Sequence, residues 1–356
     1  MITKRNMRKS KQSVLLGMSG GVDSSTAAYL LKKQGFNVTG ITLAMFNEND
    51  SDFQKNVKDA KDTCKLLNIP HFVFNVEKDF KKYVVDYFIS EYENGRTPNP
   101  CVICNRFVKF EGLLTKADEL GIKYISTGHY ASVEGKNGKY LLKKGIDEKK
   151  DQSYFLYNLT QKQLSRSIFP LGQYTKKQVR DIAQKAKLPV SHKSESQEIC
   201  FIKDNNYKKF INKYKTQNMP KGEFVDSKGN VLGYHSGITN YTIGQRRKLG
   251  ISTGKPMYVL DIDKENNRIL LGSNKELVST HLIAKDLNWI MIDKLEKEMK
   301  VKAKIRYGAK PADAIISALE NNRVKVIFTT AQRAITKGQA VVFYNDQYVV
   351  GGGIIT

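Results

Sequence analysis

Val14-Leu15-Leu16-Gly17-Met18-Ser19-Gly20-Gly21-Val22-Asp23-Ser24-Ser25 decides how this chain is read. Its first five residues are short and mostly apolar, the pattern of a buried strand. A glycine-rich turn follows, then helix-forming residues from about Asp23 to Gln34, closed by Gly35. Adjacent glycines let consecutive backbone N–H groups converge on an anion. The helix start adds its positive end, and Ser19, Ser24 and Ser25 add hydroxyl donors. The segment therefore reads as a phosphate cradle for a nucleotide. It lacks the Gly-Lys-Ser/Thr of a Walker loop. It carries Asp23 instead, and a carboxylate beside phosphates implies a bridging Mg2+. The plainer alternative is that Asp23 caps the helix and the glycines only make a tight turn.

Outward from this loop, strand-like and helix-like segments alternate. Residues 36–46, 69–76 and 123–131 read as strands, and 52–67, 78–93 and 104–120 as helices. Alternation of that kind implies a parallel sheet covered on both faces, with ligands beyond the carboxyl ends of its strands. After residue 132 the pattern changes. Gly135-Lys136-Asn137-Gly138 looks like a hairpin tip, and Thr175 to Gln178 is a capping box opening a helix that ends before Pro189. A short helix is expected near Tyr207 to Lys215. Residues 221–280 are rich in glycine and short strands, and from His281 short strands and turns predict a small β-barrel. The expected architecture is α/β over residues 1–210, a small central domain over 211–280 and a C-terminal β-barrel over 281–356.

The chain has 356 residues, enough for two or three domains. It holds 59 Lys and Arg against 35 Asp and Glu, a net charge of +24 that suits a polyanionic partner such as nucleic acid. No apolar run is long enough to span a membrane, so no membrane partner is expected. Met1–Gln12 carries five basic side chains and no apolar centre, unlike a secretory signal. Four cysteines in such a chain do not form a disulfide scaffold, and a reducing cytoplasm is the expected location.

Two of those cysteines lie in Asn99-Pro100-Cys101-Val102-Ile103-Cys104-Asn105, at a helix start whose dipole favours thiolates. Pro98 and Pro100 stiffen the approach. Cys200 lies in the polar run Ser194-Glu195-Ser196-Gln197-Glu198-Ile199-Cys200-Phe201, which should bring it to the surface or a cleft. Cys64 sits on the apolar stripe of its helix and reads as an inert small hydrophobe. The five histidines show no metal-ligand spacing. Arg246-Arg247-Lys248 reads equally as a phosphate contact or a solvated turn.

Ser19-Gly20-Gly21-Val22-Asp23-Ser24 resembles the PP-loop of the adenine nucleotide hydrolase-like ATP pyrophosphatases. Together with Arg96-Thr97-Pro98-Asn99-Pro100, Cys104-Asn105 and Ser196 to Phe201, it resembles the tRNA-specific 2-thiouridylases. Thr127-Gly128-His129-Tyr130-Ala131, Lys150 to Tyr154, Tyr241 to Arg247, Asp286 to Trp289, Ile305-Arg306-Tyr307 and Gly338-Gln339-Ala340 extend the likeness almost end to end.

The resemblance implies an ATP-dependent sulfurtransferase that binds ATP and Mg2+ and converts the wobble uridine of tRNA to 2-thiouridine. By it, Gly17, Met18, Ser19, Gly20, Gly21, Val22, Asp23, Ser24, Leu43 and Gly128 hold ATP. Cys200 carries a persulfide, and Cys104 is the partner nucleophile that can close a disulfide with it. Asn99, Pro100 and Cys101 face the target base. His129, Lys150, Asp151, Gln152, Arg306, Tyr307 and Gln339 touch the anticodon stem-loop. A sulfur-relay protein or cysteine desulfurase is the implied donor.

The chemistry is coherent. Adenylylation of the C2 oxygen makes AMP the leaving group, and a persulfide sulfur then attacks the activated carbon. The base must leave its stack to be reached. One position departs from the family pattern: Cys101 stands where Asp is usual. Cys101, Cys104 and Cys200 could then ligate a 4Fe-4S cluster with one open iron, as in other PP-loop tRNA thiolases. The alternatives are such a cluster enzyme, another PP-loop enzyme such as an amide ligase, or a non-catalytic protein that binds ATP and RNA.

Overall fold

A computed structural model of the chain describes residues 12–46, 49–194, 199–202, 206–215, 220–252 and 254–356. Most of the basic N-terminal tail and the Glu195–Glu198 part of the Cys200 segment lie outside the described residues. Strands β1 (Ser13–Gly17), β2 (Asn37–Ala44), β3 (His71–Asn75) and β4 (Tyr124–Ser126) form the first sheet. Ala131–Lys136 (β5) and Lys139–Lys144 (β6) make a hairpin, and Ser167–Ile168 (β7) completes that first sheet in the order β3-β2-β1-β4-β7. All its pairings are parallel. Side chains alternate across a strand, and β1 shows why the sheet is covered twice. Leu15 joins Ile41, Ile125, Phe110 and Leu113 on one face, whereas Val14 and Leu16 join Ala27, Leu31 and Val38 on the other.

The order reverses at β1. One crossover runs toward β2 and the other lands on β4, so a crevice opens between the carboxyl ends of β1 and β4. The glycine loop leaves β1 at this crevice, and Thr127–His129 leaves β4 there. The fourth strand is shorter than its apolar pattern suggested, because Gly128 departs to pack on the loop.

The helix expected from Cys104 starts earlier, at Pro100, with Asn99 as its N-cap. Proline fits a first helical position, where its missing N–H is not needed. This helix runs to Glu119 and contains a π-helical turn over Asn105–Phe110. The Thr175 capping box forms both of its reciprocal hydrogen bonds and opens the helix Lys176–Lys185.

Strands β8 (Gly222–Val225), β9 (Val231–His235), β10 (Tyr258–Asp263) and β11 (Arg268–Gly272) form a small central sheet over Phe224, Val259, Ile269 and Leu271. The last unit comprises β12 (Val278–Trp289), β13 (Met299–Lys304), β14 (Ala312–Leu319), β15 (Arg323–Arg333), β16 (Ala340–Asn345) and β17 (Tyr348–Ile355). Pairing of β12 with β17 closes these six strands into a barrel filled by Val301, Ile316, Val326, Phe343 and their neighbours. The β5–β6 hairpin turns at Asn137 and Gly138, both left-handed, and attaches to the barrel by pairing Lys143 with Tyr348. No described helix is long and apolar enough to cross a membrane.

Candidate active site

The glycine loop is shaped before any ligand arrives. Gly20 has φ +70, and a Cβ there would sit 2.2 Å from the Asn56 carbonyl oxygen, so only glycine fits. Ser19 N–H donates to Ser24 Oγ at 3.2 Å, and Ser24 Oγ donates to the Gly21 carbonyl at 3.2 Å. Met18 is anchored by its N–H on Ile41 O at 2.7 Å and by Thr42 Oγ1 on its carbonyl at 2.8 Å. Gly128 closes the other wall. A Cβ there would meet Ser24 N at 2.8 Å and the Asp23 carbonyl carbon at 3.0 Å.

Two lysines that no local signal singled out brace the loop. Lys176 Nζ donates to both Asp23 carboxylate oxygens, at 2.7 and 2.9 Å, and Tyr130 OH donates to Oδ1 at 2.8 Å. Lys193 Nζ donates to Gly20 O at 3.0 Å and to Asn56 Oδ1 at 2.7 Å, and pairs with Asp59 at 2.6 Å. Asp23 thus has a lysine and a tyrosine as its partners.

Cys104 and the residues that flank Cys200 come together in one apolar cluster. Cys104 is buried in a cluster with Phe80, Phe88, Phe201 and Ile202, against which Leu43, Met45 and Ile199 pack. Its Sγ lies 3.9 Å from Met45 Sδ, two residues beyond Leu43 on the strand end next to the nucleotide loop. Residues on both sides of Cys200 therefore share the apolar cluster that holds Cys104. All four cysteines are reduced; Cys200 is exposed, Cys101 half-buried, and Cys64 buried in the sheet-helix core.

The expected helix-dipole advantage for thiolates is overruled. Burial pushes Cys104 up to about 12, against a downward pull from Lys109. Cys101 is also raised, by desolvation first, with Lys109 again opposing. Burial alone raises Cys64 to about 11, as suits an inert core residue. Among the described residues no group of three or more His, Cys, Asp or Glu side chains is gathered as a metal site. The three cysteines as placed do not make a cradle for a 4Fe-4S cluster.

The loop before Cys101 is held by the barrel. Gln339 Nε2 donates to Thr97 O at 2.9 Å and Pro98 O at 3.2 Å, and Thr97 N–H donates to Lys337 O at 2.8 Å. Gly338 has φ +89, and a Cβ there would crowd Thr97 N at 3.0 Å and Arg96 Cβ at 3.1 Å. Asn99 hydrogen-bonds Tyr154, whose hydroxyl donates to Ala340 O at 2.9 Å.

Other expected RNA contacts have internal duties. Asp151 is buried and accepts from Gly145 N, Ser153 N and Ser153 Oγ. Gln152 Oε1 accepts from Tyr130 N at 2.9 Å. Lys150 is half-buried beside them. Arg306 donates to Arg333 O at 2.9 Å, and the Tyr307 ring packs on Phe155 with centroids 4.4 Å apart. His129 accepts or donates at Thr127 Oγ1 across 2.7 Å; burial and the nearby Lys109 lower it to about 3, so its ring is neutral.

The chain is similar to known proteins over nearly its whole length. Family models described as tRNA methyl transferase HUP domain, tRNA methyl transferase PRC-barrel domain and aminomethyltransferase beta-barrel domain match residues 12–204, 208–273 and 279–355. The tRNA-specific 2-thiouridylase MnmA 1 of Clostridium botulinum (strain Loch Maree) is 51% identical over 97% of this chain and 99% of its own. The tRNA-specific 2-thiouridylase MnmA of Acetivibrio thermocellus is 52% identical over 97% and 99%. A solved structure, the U34-tRNA thiolase NcsA from Methanococcus maripaludis with its 4Fe-4S cluster, covers 59% of this chain and 67% of its own at 20% identity. The TM-score of that match is 0.37. Half-identical from end to end to such relatives, the chain belongs to the tRNA-specific 2-thiouridylase family.

Proposed function

We propose that this enzyme uses ATP to replace the C2 oxygen of the wobble uridine of tRNA with sulfur carried on Cys200. The observation that carries this reading is the shared apolar cluster of Cys104, Ile199 and Phe201, packed against the strand end that borders the nucleotide loop. In this reading Gly17 to Ser24 grip the phosphates of ATP with its Mg2+, and Leu43 and Gly128 flank the nucleotide. Asn99, Pro100 and Cys101 receive the extruded base. The uridine O2 attacks the α-phosphorus, and pyrophosphate leaves.

A sulfur-relay protein or cysteine desulfurase has loaded Cys200 as a persulfide. Its terminal sulfur attacks C2, the C2–O bond breaks and AMP departs. The Cys104 sulfur then attacks Cys200 Sγ, and the bond between Cys200 and the transferred sulfur breaks. The products are 2-thiouridine and a Cys104–Cys200 disulfide. The two thiols supply the two electrons that reduce the transferred sulfur, and a thiol reductant resets the pair.

The net charge of +24 draws the anticodon stem-loop in. His129, Lys150, Arg306 and Tyr307 line its path, while Asp151, Gln152 and Gln339 fix the segments that meet it. A reducing cytoplasm suits four free cysteines. The test is tRNA-dependent release of AMP and pyrophosphate with formation of 2-thiouridine. Cys200→Ser should keep the AMP release and lose the thiolation. A Cys200→Ser enzyme that thiolates at the wild-type rate overturns the reading.

A further inference from the structure

Lys302 and Lys304 stand on the same outer face of β13, while Val301 and Ala303 between them point into the barrel. The two lysines are used differently. Lys302 is exposed, and its Nζ lies 2.9 Å from Asp313 Oδ1. Lys304 is half-buried. Its Nζ lies 5.2 Å from the centre of the Tyr307 ring and 5.8 Å from that of Tyr154. The Phe155 ring joins these two, 4.4 Å from Tyr307 and 5.5 Å from Tyr154, so three rings form one aromatic wall beside the ammonium. Ring faces attract a cation, but they do not replace an oxygen acceptor for its three N–H donors. Among the described residues Lys304 has no hydrogen bond and no ion pair. Asp151, whose carboxylate acts on it at longer range, spends Oδ1 on the N–H groups of Gly145 and Ser153 and Oδ2 on Ser153 Oγ. Arg306, the next cation along the chain, is tied by Nη1 to the carbonyls of Arg333 and Ala334.

The wall abuts the base loop. Tyr154 OH donates to Ala340 O at 2.9 Å, and the adjacent Gln339 holds Thr97 O and Pro98 O. We propose that Lys304, set between Tyr154 and Tyr307, is a seat for one backbone phosphodiester of the anticodon loop. This rests on the chain acting on tRNA. A single ammonium among rings suits a singly charged diester flanked by bases better than a multiply charged pyrophosphate. Phosphate contacts fix register rather than sequence, so the seat holds the strand in place while its base is extruded toward Asn99, Pro100 and Cys101.

The experiment is binding of a fluorescent anticodon stem-loop to the full chain, followed by anisotropy over a range of salt concentrations without ATP or a sulfur donor. Lys304→Met keeps the aliphatic stem on the rings and removes the charge. It should weaken binding about tenfold at low salt, as expected for one charged hydrogen bond. The slope of log affinity against log salt should become shallower by about 0.7, the share of one phosphate contact on a single strand. Lys304→Arg should keep the wild-type slope, and so should Lys302→Met. A neutral methylphosphonate placed at each phosphate of the loop in turn locates the contact: one position should weaken wild-type binding and have no further effect in Lys304→Met. Lys304→Gln repeats the series if the Met variant melts early. A wild-type chain that does not bind the stem-loop overturns the tRNA reading and the seat together. Wild-type binding with an unchanged slope in a folded neutral Lys304 variant overturns the seat alone. So does an equal loss in Lys302→Met, or additive effects of the variant and every methylphosphonate.

Discussion

Lys176 Nζ lies 2.7 Å from Asp23 Oδ1 and 2.9 Å from Oδ2, a pair that reaches across 153 residues to the start of the phosphate loop's helix. The capping-box helix Lys176–Lys185 is what delivers that ammonium. The pair lets a carboxylate sit where phosphates must bind.

Removing the lysine should therefore harm ATP binding more than stability. Lys176→Met leaves Asp23 uncompensated beside the incoming phosphates. Dissociation of ATP, followed by calorimetry, should weaken about tenfold, in line with loss of a charged hydrogen bond. Raising Mg2+ should recover part of the loss. Asp23→Asn combined with Lys176→Met should be less harmful than the sum of the two.

Gly128 and Gly138 make opposite predictions from the same substitution. Gly128→Ala puts a Cβ 2.8 Å from Ser24 N, against backbone that cannot give. ATP binding should be lost or cut by more than tenfold, at roughly 3 kcal/mol of strain or overpacking. Gly138 has φ +75 at the hairpin tip with open space around it. Gly138→Ala should lower stability by about 1 kcal/mol and leave ATP binding unchanged.

Alkaline pH should destabilise the fold. Burial holds Cys64 up to about 11 and Cys104 up to about 12. Once unfolded, both ionise near the ordinary thiol value. Above that value the unfolded chain has released protons that the folded chain retains, so stability falls as pH rises. The slope should approach about 1.4 kcal/mol per pH unit for each thiol, and the loss levels off only above the folded values. Cys64→Val should flatten the dependence between pH 8 and 10 in thermal melts. An unchanged slope would contradict this.

How much of this was legible beforehand follows from how local each signal is. The strand, glycine turn and helix at Val14–Ser25 lie within one stretch, so the parallel sheet and its loop could be read directly. The Thr175 capping box was equally local, and it formed. The partners of Asp23 were not legible: Tyr130 and Lys176 are ordinary residues until the sheet order brings them to one crevice. The dipole argument for Cys101 and Cys104 named a real effect but could not weigh it against burial, which only packing reveals. The hairpin at Asn137-Gly138 was recognisable by its turn chemistry. Its attachment to a barrel strand some 200 residues away was not, because edge pairing leaves no local mark.

Gln339 offers a test of the link between barrel and base loop. Its amide makes two hydrogen bonds, to Thr97 O and Pro98 O. Gln339→Ala should lower stability by about 1–2 kcal/mol. It should reduce kcat/KM for tRNA thiolation by more than that loss alone predicts, while ATP binding stays within twofold. Equal losses in both assays would place its effect in general folding instead.

The central claim is that sulfur passes from residue 200 to the base and that residue 104 completes the release. The direct measurement is a single turnover of persulfide-loaded enzyme with ATP and tRNA, without reductant, quenched by alkylation and mapped by mass spectrometry. The account predicts one Cys104–Cys200 disulfide for each 2-thiouridine formed. Thiolated tRNA appearing while both cysteines remain alkylatable would contradict it.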